Sequence, residues 1–319
     1  MEQCLPLVYH PDYNITLAGL ERLHPFDSRK YGRVVQGLVD LGLLTDADQQ
    51  LVTPAPPDEA FFAAHMDADY LAGLASSKNV AAYAEMPPVA FLPSFVVRRT
   101  LLRPMQLATA GTVEAARLAL DRGCAVNIGG GYHHASLGAG GGFCVYPDIT
   151  MAVRVARAEA GIARAMVIDL DAHQGNGHER DLGQDPDVYI LDMYNHDIYP
   201  HDDDAARGID LDVSAPSGIT SGPYLERLGQ ALEQAFAAFA PQLVIYNAGT
   251  DVLSGDPLGC MELSEEAVVR RDEAVFAAAL ERQIPLMMVL SGGYQRSNAG
   301  VIARSLQNLF STFELDRER

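Results

Sequence analysis

The stretch that most constrains this chain is Ala165-Met-Val-Ile-Asp-Leu-Asp-Ala-His-Gln-Gly-Asn-Gly-His-Glu179. An apolar run turns acidic, meets a histidine and ends in glycine. In an extended strand successive side chains alternate faces, so Asp169, Asp171 and His173 share one face at the strand's carboxyl end. In parallel α/β sheets that is where ligands bind. Two carboxylates and an imidazole on one face are costly unless something pairs them, and a divalent metal is the usual answer. The plain alternative is a pair of capping or ion-paired aspartates beside a surface histidine.

Three further apolar strands end in the same manner. Cys124-Ala-Val-Asn-Ile128 runs into Gly129-Gly-Gly-Tyr-His-His134, Leu243-Val-Ile-Tyr246 opens into a loop holding Asp251, and Leu286-Met-Met-Val-Leu290 ends in Ser291-Gly-Gly-Tyr294. Leu5 to Tyr9 reads as a first strand and Val188 to Asp192 as another that ends in an acid. Between them, helical spacing marks Tyr31 to Leu41 (entered from Asp27 or Ser28 as cap), Asp58 to Leu74, Met105 to Leu120, Asp148 to Ala160, Tyr224 to Phe239, Ser264 to about Arg282, and Ala299 to Phe310. This alternation predicts an α/β fold, a parallel sheet with helices on both faces. It brings His133-His134, Asp171 with His173, Asp251 and Tyr294 to one edge of that sheet. The convergence is stronger than any single motif.

Composition narrows the function classes. A chain of 319 residues, 48% hydrophobic, can bury a sizeable core in one large domain, and we expect one domain over 1–319. Net charge is −19, with no basic patch for nucleic acid; Arg98-Arg99 is too short to be one. The acidic balance suits solubility or cationic partners. No apolar run approaches a membrane span, and Met1-Glu-Gln-Cys-Leu-Pro6 has no leader pattern. The four cysteines, Cys4, Cys124, Cys144 and Cys260, lie far apart, so a reduced, cytoplasmic setting is expected. The Asp202-Asp-Asp204 run reads as a solvated loop, and His24 as a histidine packed before a helix unless it faces a pocket. The glycine run from 129 is no P-loop, since no Lys-Ser/Thr follows it.

With Asp171, His173 and Asp251 as ligands, two oxygens and one nitrogen suit zinc with a fourth position for water. The same donors accept iron(II). Zinc lowers the pKa of bound water and polarises a carbonyl. A histidine pair can take up one proton and pass it to a leaving amine, and a tyrosine on a glycine turn can donate to a developing oxyanion. The class of chemistry is metal-assisted amide hydrolysis. Each residue has a duller role open to it: paired histidines on a surface loop, Asp251 capping a turn through Ser254 and Gly255, Tyr294 as an ordinary half-buried aromatic.

The motifs Gly129-Gly-Gly-Tyr-His-His134, Gly140-Gly-Gly-Phe-Cys144, Asp169 to Glu179, Tyr246-Asn-Ala-Gly-Thr-Asp251, Gly255-Asp-Pro-Leu-Gly259 and Ser291-Gly-Gly-Tyr-Gln295 run in one order over most of the chain. In that order they resemble the zinc-dependent histone deacetylases, most closely their class IV branch, with Pro93 to Pro104 similar to its rim loop. The resemblance implies the arginase/deacetylase fold with a central eight-stranded parallel sheet. It implies one zinc ion on Asp171, His173 and Asp251. His134 would be general base and then acid, with Asn176 as its partner. His133 would be the electrostatic partner, oriented by Asp169, and Tyr294 would bind the carbonyl. Gly142, Phe143, Tyr199 and Leu258 would line an acyl-lysine tunnel. A structural potassium ion would sit near Asp169, Asp171, His173, Asp192 and Met193.

Many deacetylases carry aspartate where this chain has Asn176, which cannot stabilise an imidazolium by charge, so His134 should hold its proton less firmly. The two-manganese arginase branch needs extra carboxylates; Gly175 stands at one such position, and Gly249 and Leu253 flank Asp251. One metal fits that count. The leading reading is a lysine deacylase acting on acyl-lysine peptides or proteins. The class IV resemblance implies that long fatty acyl groups are better substrates than acetyl, and the small run Gly138 to Gly142 is where the room for them is expected. An acetylpolyamine or other small-amide hydrolase is the alternative, and a catalytically silent acyl-lysine-binding protein the remote one. Oligomeric state and physiological substrate stay open at this stage.

Overall fold

The computed structural model describes residues 5–17, 19, 21, 24–45 and 50–315. Cys4 lies outside them. Seven strands form one sheet: β1 (Leu7–Val8), β2 (Cys124–Asn127), β3 (Ala165–Asp169), β4 (Val188–Asp192), β5 (Leu211–Asp212), β6 (Leu243–Asn247) and β7 (Leu286–Val289). Their order is β1-β2-β7-β6-β3-β4-β5, and every pairing is parallel. Parallel sheets need both faces covered, and the strand alternation shows how. Met166 and Ile168 of β3 face one apolar core with Tyr246 and Met288, while Ala165 and Val167 face the other with Ile245 and Met287.

The helices that cover the sheet are α1 (Lys30–Asp40), α2 (Arg103–Arg122), α3 (Asp148–Ala160), α4 (Asn176–Leu182), α5 (Ser221–Ala238), α6 (Glu265–Leu280) and α7 (Asn298–Thr312). Val34 and Leu38 of α1, Leu228 of α5, Val275 of α6 and Val301 of α7 fill the first core. Ala115, Ala116 and Ala119 of α2 and Ile149 and Val153 of α3 fill the second, with Leu182 of α4. The small alanines of α2 let that helix lie close to the sheet.

Two expectations need correction. The sheet has seven strands among the described residues, not eight. The position beyond β1 is held by Val52 alone, in a parallel bridge to Val8: the Tyr9 amide donates to the Val52 carbonyl (3.0 Å) and the Val52 amide to Leu7 (2.9 Å). Pro54, Pro56 and Pro57 follow at once and lack the donors a longer strand needs. The segment expected as one helix over Asp58 to Leu74 is two, Glu59–His65 and Ala68–Gly73. Asp67 divides them, its carboxylate accepting the amides of Asp69 (2.8 Å) and Tyr70 (3.3 Å) as a new N-cap.

The four strands whose exits carry the candidate residues, β2, β7, β6 and β3, are consecutive neighbours in the sheet. Strand order, more than any local motif, brings His133, Tyr294, Asp251 and Asp171 to one place.

Candidate active site

Asp171, His173 and Asp251 meet beyond the ends of β3 and β6, all buried. Their ligand-type atoms lie within 4.8 Å of one another. His173 Nδ1 lies 3.1 Å from Asp171 Oδ1 and 3.0 Å from Asp251 Oδ2. A tetrahedral ion with bonds of about 2.0–2.1 Å holds its ligand atoms about 3.3 Å apart, so His173 Nδ1 stands near that spacing from each carboxylate. Backbone amides hold the outer oxygens: Gly292 donates to Asp171 Oδ2 (2.8 Å) and Ala172 to Asp251 Oδ1 (2.9 Å). Burial and the neighbouring Asp171 push Asp251 up to about 7. His173 loses basicity to burial but gains more from Asp171 and Asp251, rising to about 10. Two carboxylates and one imidazole that must share protons to coexist are a donor set a divalent cation would relieve. A carboxylate at position 249 would not fit beside them, since a Cβ there would stand 2.1 Å from Asp171 Oδ2.

His133 and His134 stand side by side, ring centres 4.1 Å apart, but differ in their partners. His133 Nδ1 bonds Asp169 Oδ2 at 3.0 Å, and His134 Nδ1 bonds Asn176 Oδ1 at 2.8 Å. Burial lowers His133, yet Asp171 and Asp169 outweigh it and raise the imidazole to about 9. Burial, His133 and His173 together hold His134 well below the usual range, and the neutral Asn176 offsets little of that. Two adjacent imidazoles are thus driven apart, one charged and one neutral, the pattern that separates acid from base roles.

Tyr294 leaves β7 on its glycine turn and packs with its ring 6.1 Å from that of His173. Its amide donates to Asp256 Oδ2 (2.8 Å), and the same carboxylate takes the amides of Leu258 (3.0 Å) and Gly259 (3.1 Å). Burial, with Asp251 and Asp171 adding, keeps the Tyr294 hydroxyl protonated well above neutrality. A cavity of about 460 Å³ leads in from solvent past Tyr199, Leu258, Phe143 and Gly142 to His134, His173 and Tyr294. Tyr199 is 43% exposed and Leu258 37%, which places them at the mouth. Beneath it lies a small space of about 30 Å³ between Phe26, Phe143, His133, His134 and Tyr294. Gly142 (φ +53°) lets the chain pass against His134; a Cβ there would be 2.3 Å from its Cδ2.

Asp169 is the hub beneath the site. Besides His133 it accepts His178 Nε2 (2.9 Å), Asn247 Nδ2 (2.8 Å) and the Asp171 amide (3.1 Å). Burial alone would raise its carboxyl; His133 and His178 hold it below the usual carboxylate range instead. Asp192 lies beside it in register on β4, and Asp169, His178 and Asp192 form a second buried cluster. The Asp192 Oδ1 has no hydrogen-bond partner among the described residues. The Met193 amide donates to the Asp169 carbonyl (3.0 Å).

Lys30 and Arg271 matter here and had no visible signal in the sequence, while His24 and Asp202 had a signal that left their roles open or misplaced. Lys30, buried in the first turn of α1, donates to the carbonyls of Ser291 (2.5 Å) and Gly292 (2.9 Å) and so anchors the Tyr294 turn. Arg271 of α6, fully buried, donates to the carbonyls of Gly249 (2.5 Å) and Leu170 (3.2 Å), at the roots of both metal-site loops. His24, which the sequence leaves between a pocket and ordinary packing, faces the cavity and stacks on Phe143 at 4.4 Å. Asp202, expected as solvated, is tied to Asn176 and Arg180.

A histone deacetylase domain family matches residues 24–310. Histone deacetylase 2 of Arabidopsis thaliana is 49% identical over 303 residues, 95% of this chain and 78% of that protein. An uncharacterised protein of a Picosynechococcus strain is 33% identical over 94% of this chain and 95% of its own length. Two solved structures share the fold. Acetylpolyamine aminohydrolase from Burkholderia pseudomallei superposes with a TM-score of 0.74 at 22% identity, covering 96% of this chain and 99% of its own. The HD domain of HDA15 superposes at 0.76 with 17% identity, covering 98% and 91%. With a parallel seven-stranded sheet of the arginase/deacetylase type and a buried Asp/His group able to hold a metal, the chain belongs to the histone deacetylase family of hydrolases.

Proposed function

We propose that this protein hydrolyses the amide bond of N-acyl-lysine side chains, with zinc on Asp171, His173 and Asp251. The observation that carries the reading is the histidine pair beside those three donors, His133 bonded to Asp169 and His134 to Asn176, with His134 lining a cavity of about 460 Å³. The ion, when bound, supplies a Lewis acid that activates water and polarises the acyl carbonyl.

The chain's own residues do the rest. The acyl-lysine stem runs between Phe143 and the mouth residues Tyr199 and Leu258, which exclude water from it. His134, neutral and bonded through Nδ1 to Asn176, presents Nε2 as the base that accepts a proton from the attacking water. The same Nε2 then gives that proton to the lysine nitrogen as the C–N bond breaks. His133, held charged by Asp169, stays an electrostatic neighbour. The Tyr294 hydroxyl donates to the carbonyl oxygen as its charge develops. A monovalent cation such as potassium beside Asp169 and Asp192 is a further part of the reading, supported by the buried group of Asp169, His178 and Asp192.

The inner space of about 30 Å³ is small, a little above the roughly 10–15 Å³ that admits one water molecule. It suits an acetyl group. The long-chain preference expected from the class IV resemblance needs Phe26 and Phe143 to part first. A second reading, a small acetylated amine as substrate, has one observation in its favour: exposed Glu85 lines the mouth, where a free ammonium would pass. A series of acetyl-, octanoyl- and myristoyl-lysine peptides beside acetylated polyamines, with Asp251→Ala as control, separates these. We expect metal-dependent turnover of the acetyl peptide. Turnover of polyamines alone would sink the lysine reading, and faster turnover of the longer chains would show that the aromatic wall opens.

A further inference from the structure

We propose that Asp202 is a positioning residue, fixing the side-chain amide of Asn176 and through it the tautomer of His134. The inference rests on the role of His134 as base given above.

An asparagine offers a carbonyl and an amino group of nearly equal size, and nothing local decides which faces a histidine. Here the far side of Asn176 settles it. Asn176 Nδ2 donates to Asp202 Oδ2 at 3.0 Å, and an ionised carboxylate can only accept. Asn176 Oδ1 must therefore face His134 Nδ1, 2.8 Å away, and that ring nitrogen must be the donor. The proton on His134 is then on Nδ1, and the Nε2 lone pair points into the cavity. A flipped amide would present its N–H to Nδ1, move the ring proton to Nε2 and remove the base.

Asp202 is itself held so that it can do this. Arg180 of α4 touches Oδ2, and the Ala205 amide donates to Oδ1 at 3.2 Å. Burial opposes its ionisation, but Asn176, the Ala205 amide and Arg180 outweigh it and lower its pKa. Its backbone is clamped on both sides by one residue: the Asp202 amide donates to Gln174 Oε1 (3.1 Å) and Gln174 Nε2 donates to the Asp202 carbonyl (3.1 Å). Gln174 lies two residues before Asn176, so the loop and the helix start are fixed relative to each other. The same loop carries Tyr199, whose ring is 5.0 Å from that of His134. A carboxylate one residue removed thus does by geometry what a direct aspartate partner does by charge.

The test uses the near-isosteric change Asp202→Leu, which removes both acceptor oxygens, and the pair Asn176→Asp with Asp202→Leu, each in the zinc-loaded protein. In Asp202→Leu nothing holds the Asn176 amino group on its far side, so the amide is free to flip. We expect kcat to fall about 10²-fold with KM little changed, the lower end of what a general base contributes. An ionised aspartate at position 176 only accepts, whichever way it turns, so the pair should recover most of the lost kcat without an acceptor at 202. Long-range proton–nitrogen NMR of His134 gives a readout that needs no substrate: the Nδ1-protonated form in the parent and in the pair, and a rise of the Nε2-protonated form in Asp202→Leu. Unchanged kcat and an unchanged tautomer in Asp202→Leu would overturn the proposal, as would a pair no better than the single variant at unaltered melting temperature. If the tautomer moves as stated while the parent hydrolyses no amide offered, Asp202 keeps its positioning role and the hydrolase reading fails separately.

Discussion

Gly142→Ala is the substitution whose outcome follows most directly from coordinates. Gly142 has φ +53°, where an L-residue costs about 1–2 kcal/mol. Phe143 beside it is already left-handed at φ +64°, so the turn has little freedom to relax. The new Cβ would lie 2.3 Å from His134 Cδ2 and 2.8 Å from Cγ. Carbon atoms rest at about 3.5 Å, so ring and methyl must separate by about 1.2 Å. The ring cannot simply swing away, because Nδ1 is bonded to Asn176 and its other face lies against His133. Displacing a catalytic group by about 1 Å costs on the order of 10²-fold in rate. We therefore expect kcat to fall about 10²-fold, and the melting temperature to fall by about 3 °C for roughly 2 kcal/mol. Gly141→Ala is the control: its Cβ meets only Tyr199 Oη at 3.4 Å, an ordinary contact, and it should turn over as the parent does. Steady-state kinetics on an acetyl-lysine peptide, with zinc content and melting measured on both, decides it. Equal kcat for the two variants would refute the claim that the glycine is there to let His134 into place.

Three further outcomes follow from the same structure. Tyr294→Phe should lose about 10²–10³-fold in kcat while binding zinc as the parent does, measured by metal analysis beside kinetics, as expected for one lost oxyanion donor. Burial holds His24 down at about 4 against an ordinary 6.5, so as pH falls below 6.5 the unfolded chain takes up a proton that the folded chain refuses. Stability should be lost from about 6.5 down to about 4, by at most about 3 kcal/mol less the screening its partial exposure allows. His24→Phe keeps the stack on Phe143 and should flatten that acid limb in denaturant titrations; an unchanged limb would show that His24 carries none of it. Arg271→Met should destabilise by about 3–5 kcal/mol, because Asp272 and three carbonyls lose their buried cation, and zinc affinity should fall with it. Chemical denaturation with and without zinc reads both effects, and a variant as stable as the parent would show that the Arg271 brace is dispensable.

The parts legible in sequence were those in which chemistry and strand period coincide. Strand alternation carries only as far as Asp169, where β3 ends; Asp171 and His173 lie in the bend beyond it, and Asp169 turns instead to His133 and His178, so the expected shared face is corrected to a strand end and its loop. The glycine endings marked four strand exits that the sheet order then made neighbours. Asn176 beside His134 and Asp169 beside His133 stand where the motifs put them. The rest depended on contacts across many residues. Lys30 reads as one more residue in the first turn of a surface helix, yet it reaches two carbonyls more than 260 positions away. Arg271 and Asp272 look like an exposed charged pair until α6 is laid on the sheet. Asp202 sits in an acidic run whose simplest reading is solvent, and only the fold shows that its neighbours face water while it faces Asn176. The eighth strand follows from the resemblance alone, and Pro54, Pro56 and Pro57 after Val52 cut it to a single bridge.

Those prolines have a consequence for the behaviour of the chain at high concentration. A sheet with free edges is a template for other strands. Here one edge strand, β1, is two residues long and already occupied by Val52, with Pro54, Pro56 and Pro57 beyond it. The opposite edge, β5, is also two residues long and ends in Asp212. An incoming strand finds at most two residues to pair with on that side and proline on the other. The five long, apolar strands between them are the segments most able to form intermolecular sheet, and they are enclosed by edges too short to propagate it. The folded protein should therefore resist edge-to-edge association, and its aggregation should track unfolding rather than concentration alone.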